Sequence, residues 1–157
     1  MECVLLCVGK TDRTELRQLI ELYQNRLSHY TKFSLVTIDD IKNNKNLSEK
    51  QQKEAEGKAL EKQLKKGDRI VLLDENGKNF GSVAFAEWIN KQQISGIKRL
   101  VFMIGGPYGF SPEIYAMAQQ KISLSKMTFS HQMARLLFVE QLYRVHTILK
   151  NEPYHHR

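Results

Sequence analysis

The sequence predicts an α/β fold on a mostly parallel sheet flanked by helices, and three observations carry that expectation. Short continuous apolar runs recur at residues 4–8, 69–74, 99–104 and 121–124, and each ends at Gly, Asp or Ser. Segments of helical period lie between them, and helix-start signals stand at Ser48, Ser111 and Ser130. Strands without polar alternation need apolar cover on both faces, which a parallel sheet between helices supplies.

The first run, closed by Gly9, reads as a buried strand. Residues 14–27 follow with Leu16, Leu19, Ile20, Tyr23 and Leu27 at helical spacing. A second strand takes Phe33, Leu35 and Val36 to Ile38, and residues 39–47, rich in Asn and Lys, read as a mobile loop. Ser48 and Gln51 fit a capping box, in which the serine oxygen accepts from the amide three residues on and the glutamine reaches back. The helix it opens should run to about Lys66 and be mostly exposed, since its apolar residues are few. A strand at 69–74, a turn at 75–78 with an Asn-Gly signal, a helix at 82–93 and a strand at 99–104 continue the rhythm. A helix from the Ser111 cap with Pro112 in its first turn, a strand at 121–124 and a helix from about 130 to 150 complete it. The last helix is apolar on far more than one stripe, so two sides need cover: the sheet on one, and a second subunit or the protein's own interior on the other.

The 157 residues have the composition of one ordinary globular domain spanning 1–157. No stretch approaches the roughly 20 apolar residues of a membrane span, and no secretory leader is visible, so a cytoplasmic protein is expected. Cys3 and Cys7 would lie about 13 Å apart on one strand, beyond disulfide reach, and are expected to be reduced core thiols. The 24 basic against 17 acidic residues favour a polyanionic partner, nucleic acid first. The basic residues are spread along the chain, as on an ordinary solvated surface.

Three strand ends carry unusual residues: Leu73-Asp74, then Gly105-Gly106-Pro107-Tyr108-Gly109, then Ser125-Lys126-Met127-Thr128-Phe129-Ser130-His131. In a parallel sheet all three open onto one edge, where ligands of such sheets bind. Adjacent glycines let a ligand approach the main chain, and a cofactor adenine would suit the exposed amides. A tight strand-to-helix turn would look the same, and the run is neither the dinucleotide fingerprint nor a phosphate loop. Farther on, Arg144 could clamp a phosphate and a histidine of the tail Pro153-Tyr154-His155-His156 could exchange protons, although chain ends are often frayed.

In order, Leu73-Asp74, Ile104-Gly105-Gly106-Pro107-Tyr108-Gly109, Leu124-Ser125-Lys126-Met127-Thr128-Phe129-Ser130-His131-Gln132, Glu140-Gln141-Leu142-Tyr143-Arg144 and Pro153-Tyr154-His155 closely resemble the RlmH family of SPOUT methyltransferases. The likeness runs from Val8-Gly9-Lys10 to the tail. It implies a small single-domain SPOUT fold with a C-terminal trefoil knot, and a homodimer whose active site is completed across subunits. It also implies S-adenosyl-L-methionine as cofactor, held at Leu73, Gly105, Leu124, Ser125, Lys126, Met127, Thr128 and Phe129, with no metal. The implied reaction is methyl transfer to N3 of a pseudouridine in a stem-loop of large-subunit (23S) ribosomal RNA on the assembled ribosome, with neither membrane nor DNA as partner. Arg144, Tyr154 and His155 match the residues for RNA positioning and proton handling, His155 as base and Arg144 as clamp. The additional His156 leaves open which imidazole faces the base. Two other functions fit the same pattern: a SPOUT methyltransferase acting on another ribosomal or transfer RNA position, and a non-catalytic ribosome-binding protein that keeps the pocket. The presence of Tyr154 and His155 favours an enzyme.

Overall fold

The computed structural model describes residues 1–41 and 46–156. Its strands are β1 (Glu2–Val8), β2 (Lys32–Ile38), β3 (Arg69–Asn79), β4 (Arg99–Ile104) and β5 (Gln120–Ser123), and its helices α1 (Thr14–Leu27), α2 (Glu49–Glu61), α3 (Ser82–Ile94), α4 (Pro112–Met117) and α5 (His131–Leu149). The strands form one five-stranded sheet in the order β2-β1-β4-β3-β5, every pair parallel. The expected α/β architecture is therefore present, with helices on both faces.

Pleating divides the core in two. Cys3, Leu5 and Cys7 point with Leu100, Phe102, Ile104 and Val71 toward α1, α3 and α5. Val4, Leu6 and Val8 point with Val101, Met103, Ile70 and Leu72 toward Leu60 of α2 and Ile114 of α4. Both cysteines are free and buried, and burial pushes each thiol up to about 12. They are inert packing groups.

Several boundaries differ from expectation for identifiable reasons. α2 begins with the expected Ser48–Gln51 capping box but stops at Glu61, not near Lys66. The chain tightens there through Gln63 N–H to Leu60 O and Leu64 N–H to Glu61 O, then reverses at Gly67, whose φ of 89° is left-handed. Nor is α2 mostly exposed, because Gln52, Glu56, Gly57 and Leu60 are buried under the second face of the sheet. The turn at 75–78 is an excursion within β3: Leu73 and Lys78 both pair with Ile122. Asn76 N–H donates to Asp74 Oδ1 at 2.8 Å inside this excursion. A β-carbon on Gly77 would fall 2.5 Å from the main-chain nitrogen of Ile122, so glycine is required where the excursion crosses β5. The loop expected at 39–47 lies partly outside the described residues.

α5 rests on the sheet between α1 and α3, which accounts for much of its apolar surface. Its first turns are tied to the end of β1. The Arg135 guanidinium, 2% exposed, donates to Val8 O at 2.6 Å and to Thr11 Oγ1 at 3.0 Å. Gln132 and Asp12 exchange two hydrogen bonds beside it. Among the described residues no helix is long and apolar enough to cross a membrane.

Candidate functional site

The carboxyl ends of β3, β4 and β5 border a cleft of about 440 Å³, within the range of small-molecule sites. Leu73, Gly105, Leu124, Ser125, Met127, Thr128 and Phe129 all line it. Seven of the eight expected cofactor residues thus share one surface. Lys126 is exposed on the same loop and is not part of the lining.

Each wall has a local cause. The glycine turn closes through Gly109 N–H to Gly106 O at 3.0 Å, with Gly109 at φ 80°. A β-carbon on Gly105 would meet the Gly109 carbonyl at 3.1 Å and the Phe110 ring at 3.3 Å, so the turn folds back on itself closely enough that a side chain would have to push its neighbours aside by a few tenths of an ångström. On the opposite wall, Ser123 Oγ donates to Ser125 O at 2.7 Å and Met127 N–H donates to Ser125 Oγ at 2.9 Å, which fixes the loop after β5. Ser130 Oγ then caps α5 by accepting from Met133 N–H.

The cleft also holds groups that the cofactor set omitted. Asp74 and Glu75 line it with Tyr115, whose hydroxyl donates to Asp74 Oδ2 at 2.5 Å. Burial and this bond push the Tyr115 phenol up to about 12, so it stays a donor. His131 lies at the rim, held below the ordinary imidazole value first by burial and then by the Arg135 charge. Asp74 and His131 stood in the sequence motifs without an assigned role. The signal for Tyr115 was its place one turn into a helix that starts just after the glycine turn.

Arg144, Tyr154 and His155 are elsewhere. Arg144 is ten residues beyond Ala134, the farthest α5 residue in the cleft wall, or about 15 Å along the helix axis at 1.5 Å per residue. The chain turns back after α5 at Asn151, φ 55°, with Glu152 N–H donating to Thr147 O at 2.9 Å. Tyr154 OH then donates to Glu140 Oε1 at 2.9 Å and lies 3.4 Å from Tyr23 OH. The Tyr143 and Tyr154 rings meet edge-on at 4.7 Å, and Arg144 pairs with Glu140 while lying 4.6 Å over the Tyr154 ring. His155 is half-buried beside this cluster and His156 is exposed. The structure thus gathers the expected site residues into two groups and does not join the groups within one chain.

A parallel sheet of this order with a glycine-lined cleft at its carboxyl edge defines an α/β protein whose cleft is of small-molecule size. The family model described as a predicted SPOUT methyltransferase matches residues 1–155. Three relatives, each named ribosomal RNA large subunit methyltransferase H, align along essentially their full length. The Christiangramia forsetii protein is 59% identical and the Flavobacterium johnsoniae protein 60%, both over 100% of each chain. The Parabacteroides distasonis protein is 56% identical over 99% of each chain. The chain belongs to the SPOUT methyltransferase family, among the proteins of the RlmH group that its sequence resembles.

Proposed function

We propose that this protein is an S-adenosyl-L-methionine-dependent methyltransferase that modifies N3 of a pseudouridine in a stem-loop of large-subunit ribosomal RNA, on the assembled ribosome, in the cytoplasm. The observation that carries the reading is the convergence of three strand ends on one cleft whose main chain is bared by glycines. The residues suit the cofactor: Gly105 and Gly106 present peptide edges to a planar base, Leu73 and Leu124 give apolar walls, and Asp74 and Glu75 put negative charge near a sulfonium cation. When bound, the cofactor supplies a methyl group activated on sulfur.

The protein's own work is then positioning and proton handling. His155 accepts the proton that the target nitrogen gives up, Arg144 clamps a phosphate or base edge, and Tyr154 sets the height of the tail. The separation of these residues from their own chain's cleft supports a homodimer in which each cleft receives the partner's tail. Met127, 75% exposed, with exposed Phe129 and Met133 gives that contact an apolar surface beside the cleft. The chain is read as one methyltransferase domain whose return from β5 across the ends of β3 and β4 into α5 forms the trefoil knot.

Incubation with labelled S-adenosyl-L-methionine and ribosomes, separated subunits, free ribosomal RNA or transfer RNA, followed by mass spectrometric mapping, tests the reading. The expected product is methylpseudouridine from assembled ribosomes. Label in transfer RNA or at another ribosomal position would replace the substrate, and binding without transfer would remove the enzyme.

A further inference from the structure

Behind the glycine turn lies a buried carboxyl to which the reading above gives no role. Glu56 of α2 is 3% exposed. Its Oε1 accepts from Gln52 Nε2 at 2.9 Å, while Oε2 has no hydrogen-bond partner. No ion pair to it is formed among the described residues. Burial, and then the charge of Asp40, hold this carboxyl above its ordinary value, with the Gln52 bond opposing. Such a site favours the neutral acid, because an uncompensated buried charge is costly.

What Glu56 touches gives it meaning. A β-carbon on Gly106 would fall 2.3 Å from Glu56 Oε2, so the carboxyl rests directly against the Gly106 main chain, and Gly106 lines the cleft. Gly106 is not among the glycines with positive φ, so backbone conformation makes no demand there, and a methyl at this position would have to displace the end of the Glu56 side chain. One residue on, a β-carbon at Gly57 would fall 2.7 Å from Ser111 Oγ, the cap of α4. α2 therefore abuts both the start and the end of the segment from Gly106 to Ser111.

We propose that Glu56 is a positioning residue for the cofactor cleft: wedged between α2 and Gly106, its carboxyl sets the height of the glycine turn against which the methyl donor lies. The inference rests on the methyltransferase reading. Shape is the operative property, so a neutral isostere serves as well as the acid, and the two positions compensate for each other.

The test is a cycle of Glu56→Ala, Gly106→Ala and their combination, with Glu56→Gln as the conservative variant. Each full-length variant is checked for its thermal transition, then measured for S-adenosyl-L-methionine affinity by calorimetry and for KM toward ribosomes. Glu56→Ala and Gly106→Ala should each weaken cofactor binding on the order of tenfold, through a displaced turn, with KM for ribosomes unchanged. Glu56→Gln should retain affinity, and the double variant should bind more tightly than Gly106→Ala alone because the new methyl occupies vacated space. Wild-type affinity in Glu56→Ala, an equal loss in Glu56→Gln, or simple additivity in the cycle overturns the proposal. Should Glu56→Ala fail to fold, Glu56→Asp takes its place in the cycle, since the shorter acid also withdraws the wedge. A wild-type protein that binds no S-adenosyl-L-methionine would overturn the methyltransferase reading itself, a result distinct from loss of the Glu56 effect alone.

Discussion

Tyr154 donates its phenol proton to Glu140 Oε1 at 2.9 Å, and the same carboxylate pairs with Arg144. One acidic side chain in the middle of α5 therefore anchors both the tail and the arginine proposed to meet RNA. Burial, followed by the bonds to Tyr23 and Glu140, raises the Tyr154 phenol well above its ordinary value, which keeps it a donor. The tail is thus held by specific contacts, contrary to the frayed end that chain position alone would suggest.

Removal of the tail should consequently separate chemistry from folding. A protein ending at Asn151 should bind S-adenosyl-L-methionine with unchanged affinity and remain dimeric, but transfer no methyl. Loss of the Tyr154 bond and ring contacts should lower stability by about 1–2 kcal/mol, read from urea unfolding. Full activity in the truncated protein would refute the tail's assignment to the active site.

Within the tail, His155→Ala should reduce the single-turnover rate on the order of 10²-fold, the usual worth of a positioned proton acceptor. Cofactor affinity should stay constant. Arg144→Ala should instead weaken ribosome binding and lower its salt dependence, since a cation facing phosphate is lost. A selective loss in His156→Ala, with His155→Ala active, would transfer the base role to the neighbouring imidazole.

Gly105→Val bears on the cleft. Its added carbons would press on the Gly109 carbonyl and the Phe110 ring, so the turn must open and the cofactor surface with it. S-adenosyl-L-methionine affinity should fall by more than tenfold, about 1.4 kcal/mol or more, in a protein that still unfolds cooperatively. Wild-type affinity by calorimetry would remove Gly105 from the site.

Stability should decline in acid through His146. Burial, then the charge of Lys150, lowers its imidazole from 6.5 to about 4. The folded state is therefore the poorer proton binder: the unfolded chain takes up a proton first as pH falls below 6.5, and stability drops until about 4. The full effect is about 3 kcal/mol at 1.36 kcal/mol per unit. Glu56, whose value is raised, contributes the opposite slope, so the informative quantity is wild type minus His146→Gln across this range. A difference that does not change with pH would exclude His146 as the source.

The strand ends were legible in sequence because each is an uninterrupted apolar run that stops abruptly at Asp74, Gly105 or Ser125, and parallel strands bring such stops to one edge. The full span of α1 and the cap of α2 followed from helical period and from Ser48 and Gln51. Gln52 and Glu56 were not legible as buried, because periodicity assigns polar residues to solvent and cannot see a glycine turn waiting above them. The β3 excursion escaped because Asn76-Gly77 signals a chain reversal, whereas pairing with β5 brings the strand back into register. Nor could one-dimensional order reveal that Arg144 stands about 15 Å along α5 from the last cleft residue of that helix, with Tyr154 folded back beside it, away from the cleft whose chemistry they are proposed to serve.

That separation yields the most discriminating test, a mixing experiment. Gly105→Val damages the cleft and leaves the tail, while His155→Ala damages the tail and leaves the cleft. If each site combines one chain's cleft with its partner's tail, a heterodimer of the two variants contains one site with both parts intact. Equal amounts, exchanged by mild denaturation and refolding, give heterodimers as half of all dimers, so about a quarter of wild-type activity should return. If cleft and tail belong to the same chain, every site in the mixture keeps a defect and activity stays at the sum of the parents. Light scattering at about twice the 18.3 kDa chain mass must accompany the recovered activity. A monomer that methylates at the wild-type rate would defeat the shared site outright.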